Sequence, residues 1–385
     1  MAAFSLRRFT KPETLCNVSH NSLLLLLSPY RDYFAGRGLE LPAPDGGGGL
    51  DHERLVSIFL TPDMAMPLDL VESLYLINEL ATPTGMDSIL HEAKLQGIHL
   101  SVPWKATPMD VAVAAFIADR EMLERIHHRH AMLKRRSFFY FRTEGEAPPV
   151  DVVREEVMPA FQDALHAYFL AHNRGRHLRT FMFHRDRELW LTVRHGDVFH
   201  REMNVEDGES VVFVYRPECF NTIVYNASNG ELRVHAGTDG ERETYRQLVG
   251  KHLFGSEFLF WGAKKYSCEP LRNDGPASLA VTDVAGIEWA RLTEVKCEEE
   301  QRDRKVQFSR KSSDLFQATP TWRDWIPGSA QIVGASFKVK FRHARTPQTI
   351  SLRPPNMASY SHDGDSALTE QWLRARGFIC LGCQS

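Results

Sequence analysis

Between Arg179 and Gly255 apolar and polar residues alternate in several short runs, the period-two signature of strands with one buried face. Leu189, Leu191 and Val193 would point to one side of such a strand, and Trp190, Thr192 and Arg194 to the other. Asn229-Gly230, set between two of these runs, supplies a tight turn because glycine adopts positive φ without steric cost. The stretch therefore predicts a meander of about five antiparallel strands closed by a helix, and the rest of the chain has to be arranged around it.

Ahead of that sheet the apolar spacing is helical. Leu23, Leu24, Leu27, Tyr30 and Phe34 recur at helix intervals, and further helices are predicted at 51–60 and 67–80. Thr107-Pro108-Met109-Asp110 has a capping hydroxyl, a proline in the first turn and an early acid, so it opens a helix that the pattern carries to about Arg136. Residues 42–50 form a glycine-rich linker, since consecutive glycines cannot build a packed element. Gly145 to Pro149 marks the next boundary, followed by a helix over 151–172. Beyond Tyr266 strands are predicted at 278–282, 287–297, 304–309 and 331–342, with a helical turn at 312–317. A last helix over 365–376 has Leu368, Trp372 and Leu373 on its inner side.

The predicted class is α+β: a helical N-terminal domain (1–145), an antiparallel meander domain (146–262) and a β-rich region (263–385) ending in a short helix packed on the central sheet. At 43% hydrophobic and 25% charged residues the composition is that of a globular protein. A net charge of −3 rules out a whole-molecule positive field, so affinity for a polyanion has to come from local patches. Six cysteines in 385 residues are too sparse for a disulfide scaffold and point to a reducing, cytoplasmic setting. No apolar run reaches the length of a membrane span, and none has the form of a secretory signal, so no membrane association is expected.

Local patches do exist. Residues 120–142 hold seven Lys or Arg against two Glu. In a helix Arg125, His128, Arg129, Arg135 and Arg136 fall beside its apolar stripe. Arg179, Arg187 and Arg194 extend the positive track into the sheet, and Lys338, Lys340, Arg342, Arg345 and Arg353 make a further cluster. Arginine gives forked phosphate contacts, and nearby Phe139, Tyr140, Trp190 and Phe199 can stack on unpaired bases. The leading expectation is a non-catalytic protein that binds nucleic acid, DNA or RNA, without a cofactor. The alternative of a protein-interaction scaffold or self-associating subunit has the sheet edge and the apolar helix faces as its surface.

A different chemistry is suggested by Asp283, at the end of a predicted strand, followed after a turn by a second strand carrying Glu294-Val295-Lys296. This order resembles the acid … acid-x-Lys arrangement of restriction-endonuclease-like nucleases. The resemblance implies a divalent cation held by Asp283 and Glu294, with Lys296 orienting the attacking water. Glu92-Ala93-Lys94 matches the same tripeptide on a predicted helix. His184-x-Asp186, His195-x-Asp197 and Glu124-x-x-His127 have metal-ligand spacing, but the residues that would complete a site cannot be nominated, and no metal is assigned. Cys380 and Cys383 lack the second pair that a zinc ribbon needs.

Overall fold

A computed structural model describes residues 6–380 apart from 17, 44–47, 64, 151–152, 154, 176, 186, 207, 263, 302–303, 320, 322–325 and 363. The chain forms two compact units, Met1–Ala131 and Met132–Ser385. The fold is α+β, with N-terminal helices, a large antiparallel sheet and a C-terminal helix.

The first unit is built from α1 (Pro12–Cys16), α2 (His20–Leu27), α3 (Arg31–Gly36), α4 (His52–Leu60), α5 (Leu68–Leu80), α6 (Pro83–Gln96), α7 (Pro108–Ala118) and α8, which starts at Arg120 and runs to Leu133. Leu23, Leu27, Phe34, Leu70, Leu74, Ile77, Val111 and Ile126 share its core, as their spacing predicts. The capping box at Thr107 forms: its hydroxyl accepts from the Asp110 N–H at 3.2 Å, and the Asp110 carboxylate accepts from the Thr107 N–H at 2.8 Å. The single helix predicted from Thr107 to about Arg136 is in fact two. Asp119 between them is extended, and its carboxylate caps the next helix by accepting from the Met122 N–H at 2.9 Å. Of the glycine-rich stretch, residues 44–47 lie outside the described residues, and those flanking them have no regular structure.

The second unit contains β1 (Ser137–Thr143), α9 (Met158–Ala171), β2 (Leu178–Arg185), β3 (Glu188–Gly196), β4 (His200–Glu206), β5 (Glu209–Tyr215), β6 (Glu218–Asn226), β7 (Glu231–His235) and α10 (Asp239–Phe254). It continues with β8 (Phe260–Gly262), α11 (Glu269–Asn273), β9 (Ile287–Gln301), β10 (Arg304–Lys311), α12 (Leu315–Ala318), β11 (Gln331–Phe341), β12 (Gln348–Arg353), β13 (Met357–Ser359) and α13 (Ser366–Ala375). The main sheet has the order β10-β9-β11-β12-β13-β1-β7-β6-β3-β2, with β8 also paired to β1, and β4 with β5 forms a separate two-stranded ribbon.

Two features depart from the expected organisation. The unit boundary falls before β1 rather than at 145, because β1 pairs with both β7 and β13 and so joins the sheet. For the same reason residues 146–262 and 263–385 share a single sheet. The strand predicted at 278–282 is instead a 3₁₀ turn (Gly275–Leu279) followed by further turns. Strands β9, β10 and β11 and the last helix stand where the periodicity puts them.

The alternation in β3 sorts its side chains as predicted. Leu189, Leu191 and Val193 join the core beneath α9 and α10, whereas Trp190 joins the opposite core with Phe138, Tyr140, Phe337 and Trp372. Asn229-Gly230 turns β6 into β7, and Gly230 has φ 67°, so a side chain there would be strained.

Candidate nucleic-acid interface

The arginines predicted to form the interface divide between the two units. In the first, Arg129 forms an ion pair with Glu92 of α6 at 2.8 Å. Burial works against the charged form of Glu92, yet Arg129 holds its carboxyl below the usual range. Arg125 lies 3.9 Å from Asp119 and 3.9 Å from Glu121, and donates to Gln96 at 3.2 Å. Arg120 pairs with Asp69 of α5 and Glu124. The ring of His128 is 5.9 Å from that of His127. These helix arginines are answered by acids, two of which, Asp69 and Glu92, come from other helices and are not revealed by a reading along α8 alone.

The second unit treats its arginines differently. Strand β2 is an edge of the sheet, and residues two apart share a face, so Arg179, Phe181, Phe183 and Arg185 line one side of it. In register behind them on β3 stand Arg194, Thr192, Trp190 and Glu188. Phe183 stacks on Trp190 with ring centroids 5.7 Å apart and planes at 18°. Arg179 is exposed and directly opposite Arg194, and among the described residues its side chain has no hydrogen bond or ion pair. Arg194 lies 3.3 Å from Glu218. Like charges facing each other across a strand pair destabilise it, so this pair is a local cost that an anion would offset. Arg187 is exposed in the β2–β3 turn. Arg135 and Arg136 lead into β1, where Arg135 is close enough to His235 to oppose its protonation.

Deeper on the same face are Thr222, His235 and Arg233, carried by β6 and β7. The hydroxyls of Thr192 and Thr222, register partners and fully buried, have no hydrogen-bond partner among the described residues. The His235 Nδ1–H donates to the Ser137 carbonyl at 2.8 Å, which leaves Nε2 as an acceptor. Burial, aided by the nearby Arg135 and Arg242, keeps this imidazole neutral by lowering its pKa. Arg233 is tied to Glu188 and donates to Nδ1 of His362 at 3.2 Å. His362 is correspondingly pushed down to about 3, chiefly by burial and then by the Arg233 and Lys265 charges.

Beside Arg233 lies a buried polar network. The Lys265 ammonium is 2.7 Å from Glu231 and 3.6 Å from Glu370, and sits 4.0 Å from the centre of the Tyr140 ring. Tyr360 donates to Glu370 at 2.8 Å, and Tyr140 to Tyr360 at 3.2 Å. Burial raises all three phenols, including Tyr266, so they stay protonated. Every charge here faces an opposite one, and the network ties β1, β7 and α13 together. Nothing in the spacing of residues 140, 231, 265, 360 and 370 announces it.

Of the nuclease-like trio, Glu294 and Lys296 share a face of β9 and lie 3.5 Å apart, with Lys311 also 3.2 Å from Glu294. Burial opposes ionisation of Glu294, but the two lysines hold its carboxyl below the usual range. Asp283 is not at a strand end. It lies in the turn before β9 and pairs with Arg376, whereas Glu294 is roughly 23 Å along the strand from Ile287. Among the described residues no group of three His, Cys, Asp or Glu side chains could hold a metal ion, so the donor set does not fit a divalent cation. Asp186 and Cys383, parts of the other metal-like spacings, lie outside the described residues.

In the third cluster, Lys340 donates to the carbonyls of Ala344 and Arg345 and so closes the β11–β12 turn. No helix among the described residues is long and apolar enough to cross a membrane. No protein-family model matches this sequence, and no curated protein matches it.

Proposed function

We propose that the protein binds nucleic acid in single-stranded form along the edge of its sheet. Arg179, Arg194 and Arg185 contact phosphates, and the half-buried Phe183, stacked on the buried Trp190, offers its outer side to an unpaired base. The reading rests on one observation: Arg179, unpaired among the described residues, stands opposite Arg194 beside the Phe183–Trp190 stack. A cationic and aromatic surface of this kind suits a strand whose bases are unstacked, because it answers both the phosphate charge and the apolar base faces. The contribution expected from Arg125, His128 and Arg129 is smaller, since acids already neutralise the two arginines. The sparse cysteine content, six in 385 residues, fits a reducing compartment such as the cytoplasm.

Fluorescence anisotropy with a labelled single strand of about 20 nucleotides, run across a salt series, tests this reading. The logarithm of affinity should fall with the logarithm of salt by about 0.7 for each phosphate contacted. Arg179→Ala with Arg194→Ala should flatten that slope by about 1.4, and Arg125→Ala with Arg129→Ala should flatten it by less. A flat salt response in the wild-type protein, or a double variant at the sheet edge that binds like wild type, would overturn the proposal. Magnesium-dependent cleavage of the strand, lost in Glu294→Ala, would replace it with the nuclease reading.

A further inference from the structure

Strands β3 and β6 are neighbours packed between the two cores, but the chain linking them runs outward as the β4–β5 ribbon. Its base is held firmly. Asp197 forms an ion pair with Arg174 at 2.8 Å and donates its N–H to the Pro217 carbonyl at 2.7 Å. Arg216 donates to the carbonyls of Asn173 and Asp197, both at 2.5 Å, and its guanidinium covers the Phe199 ring at 4.2 Å. The Arg216 side chain passes so close to Gly196 that a Cβ there would collide with it. The ribbon is thus a fixed projection.

What projects is apolar. Met203 is 57% exposed, Val205 71%, Phe213 56% and Val214 58%. They occupy both faces of the ribbon: Met203, Val205, Val212 and Val214 on one, Val211 and Phe213 on the other. Two strands alone are marginally stable in water, and three or more with an apolar face are needed. Among the described residues no further strand pairs with either edge of the ribbon. The two edges differ in how they are protected. Strand β4 carries Arg201 and Glu202, charges of the kind that discourage edge pairing, whereas Ser210–Tyr215 of β5 carries none.

We infer that β5 pairs with β5 of a second copy of this chain, antiparallel about a two-fold axis through Val212. In that register Val212 faces its own copy, Val211 faces Phe213, Ser210 faces Val214 and Glu209 faces Tyr215. Each residue keeps to its own face, as antiparallel pairing requires. The two ribbons become a four-stranded sheet in which Met203 and Val212 of both copies form one apolar row. Charge selects this arrangement. Arg216 stands at the base of the ribbon, and Glu209 is exposed at the start of β5, at its outer end. Antiparallel docking brings Glu209, opposite Tyr215, beside Arg216 of the other copy, and a tip-to-tip approach would bring Glu209 against its own copy. A two-fold contact of this type closes on itself and stops at the dimer. It is one strand edge in extent, so association depends on concentration.

Sedimentation velocity of the full chain from about 1 to about 100 μM should show the mass doubling as concentration rises. Val212→Arg sets a charge against itself on the axis and should keep the protein at the mass of one chain throughout. Val212 is 46% exposed, so the fold should tolerate the change, which an unaltered thermal transition would verify. In a second variant, Val212→Cys, the opposed Cα atoms lie within disulfide reach, and mild oxidation should give a covalent dimer absent from wild type. Met203→Cys, one strand away from the axis, should not cross-link. The inference fails if wild type stays at the mass of one chain at every concentration, if Val212→Arg associates like wild type, or if cross-linking occurs through Met203→Cys and not Val212→Cys.

Discussion

Helix α8 and strand β2 are both rich in arginine, yet they settle their charge in opposite ways. On α8, Arg120, Arg125 and Arg129 each lie against acids from α5, α6 or α8 itself. On β2, Arg179 is held opposite another arginine, and the one acid paired there, Glu218, reaches only Arg194. Arg233, a few residues away on the same face of the sheet, shows the buried version of the first solution: it is 8% exposed and bound to Glu188. Counting arginines along the chain therefore overstates the positive surface, and what matters is which of them lack an answering acid.

The comparison can be broken most forcefully at Glu188. Glu188→Leu leaves Arg233 buried without its carboxylate, and urea unfolding should show a loss of about 3–5 kcal/mol. Adding Arg233→Met should recover most of it, because an apolar pair of similar volume escapes the desolvation cost. Recovery that fails would mean that packing around Trp190, whose Nε1–H donates to Glu188 at 3.0 Å, dominates over charge.

Lowering the pH from 7 to 5 should have a smaller effect. His362 has a folded pKa of about 3 against roughly 6.5 when unfolded, so below that value the unfolded state binds more protons. Stability is complete above about pH 6.5 and falls toward pH 3, by up to about 1.4 kcal/mol per pH unit for this group. His195 and His235, also lowered mainly by burial, add to the same slope. The difference between wild type and His362→Phe in denaturant titrations at pH 5 to 7 isolates the His362 share, and equal slopes would contradict it.

Removing the acid on the helix side should matter least to its own unit. Glu92→Gln leaves Arg129 near solvent and should lower stability by less than about 1 kcal/mol in thermal unfolding. A loss as large as that of Glu188→Leu would erase the distinction between the two regions. Arg179→Ala should have the smallest effect on stability, a few tenths of a kcal/mol or less, and in the stabilising direction because it relieves like charges. The same variant should weaken oligonucleotide binding, so stability and affinity move apart at this position alone.

Much of the local structure is legible from the residues. The alternation of β3, the Asn229-Gly230 turn and the Thr107 capping box each act within a few residues, and the chain obeys all three. Other local signals were outweighed by detail. Asp119 divides one predicted helix into two by capping the second, and the residues expected as a strand at 278–282 turn instead. The candidate site was legible only in part. Arg179 and Arg194 are legible as basic positions, but that they face each other depends on the register of β2 against β3.

The sequence by itself determined the class of fold and the two faces of its central strand, because period and turn chemistry are properties of neighbours along the chain. Tertiary structure alone decided which charges cancel. Arg129 meets Glu92, Arg233 meets Glu188, and Lys265 meets Glu231 and Glu370 across separations that no short-range pattern encodes. It also decided that Val212 and Phe213, which read as ordinary strand interior, are turned outward to solvent. Periodicity shows that a strand has two sides, and only the packing of the whole unit settles which sides are covered.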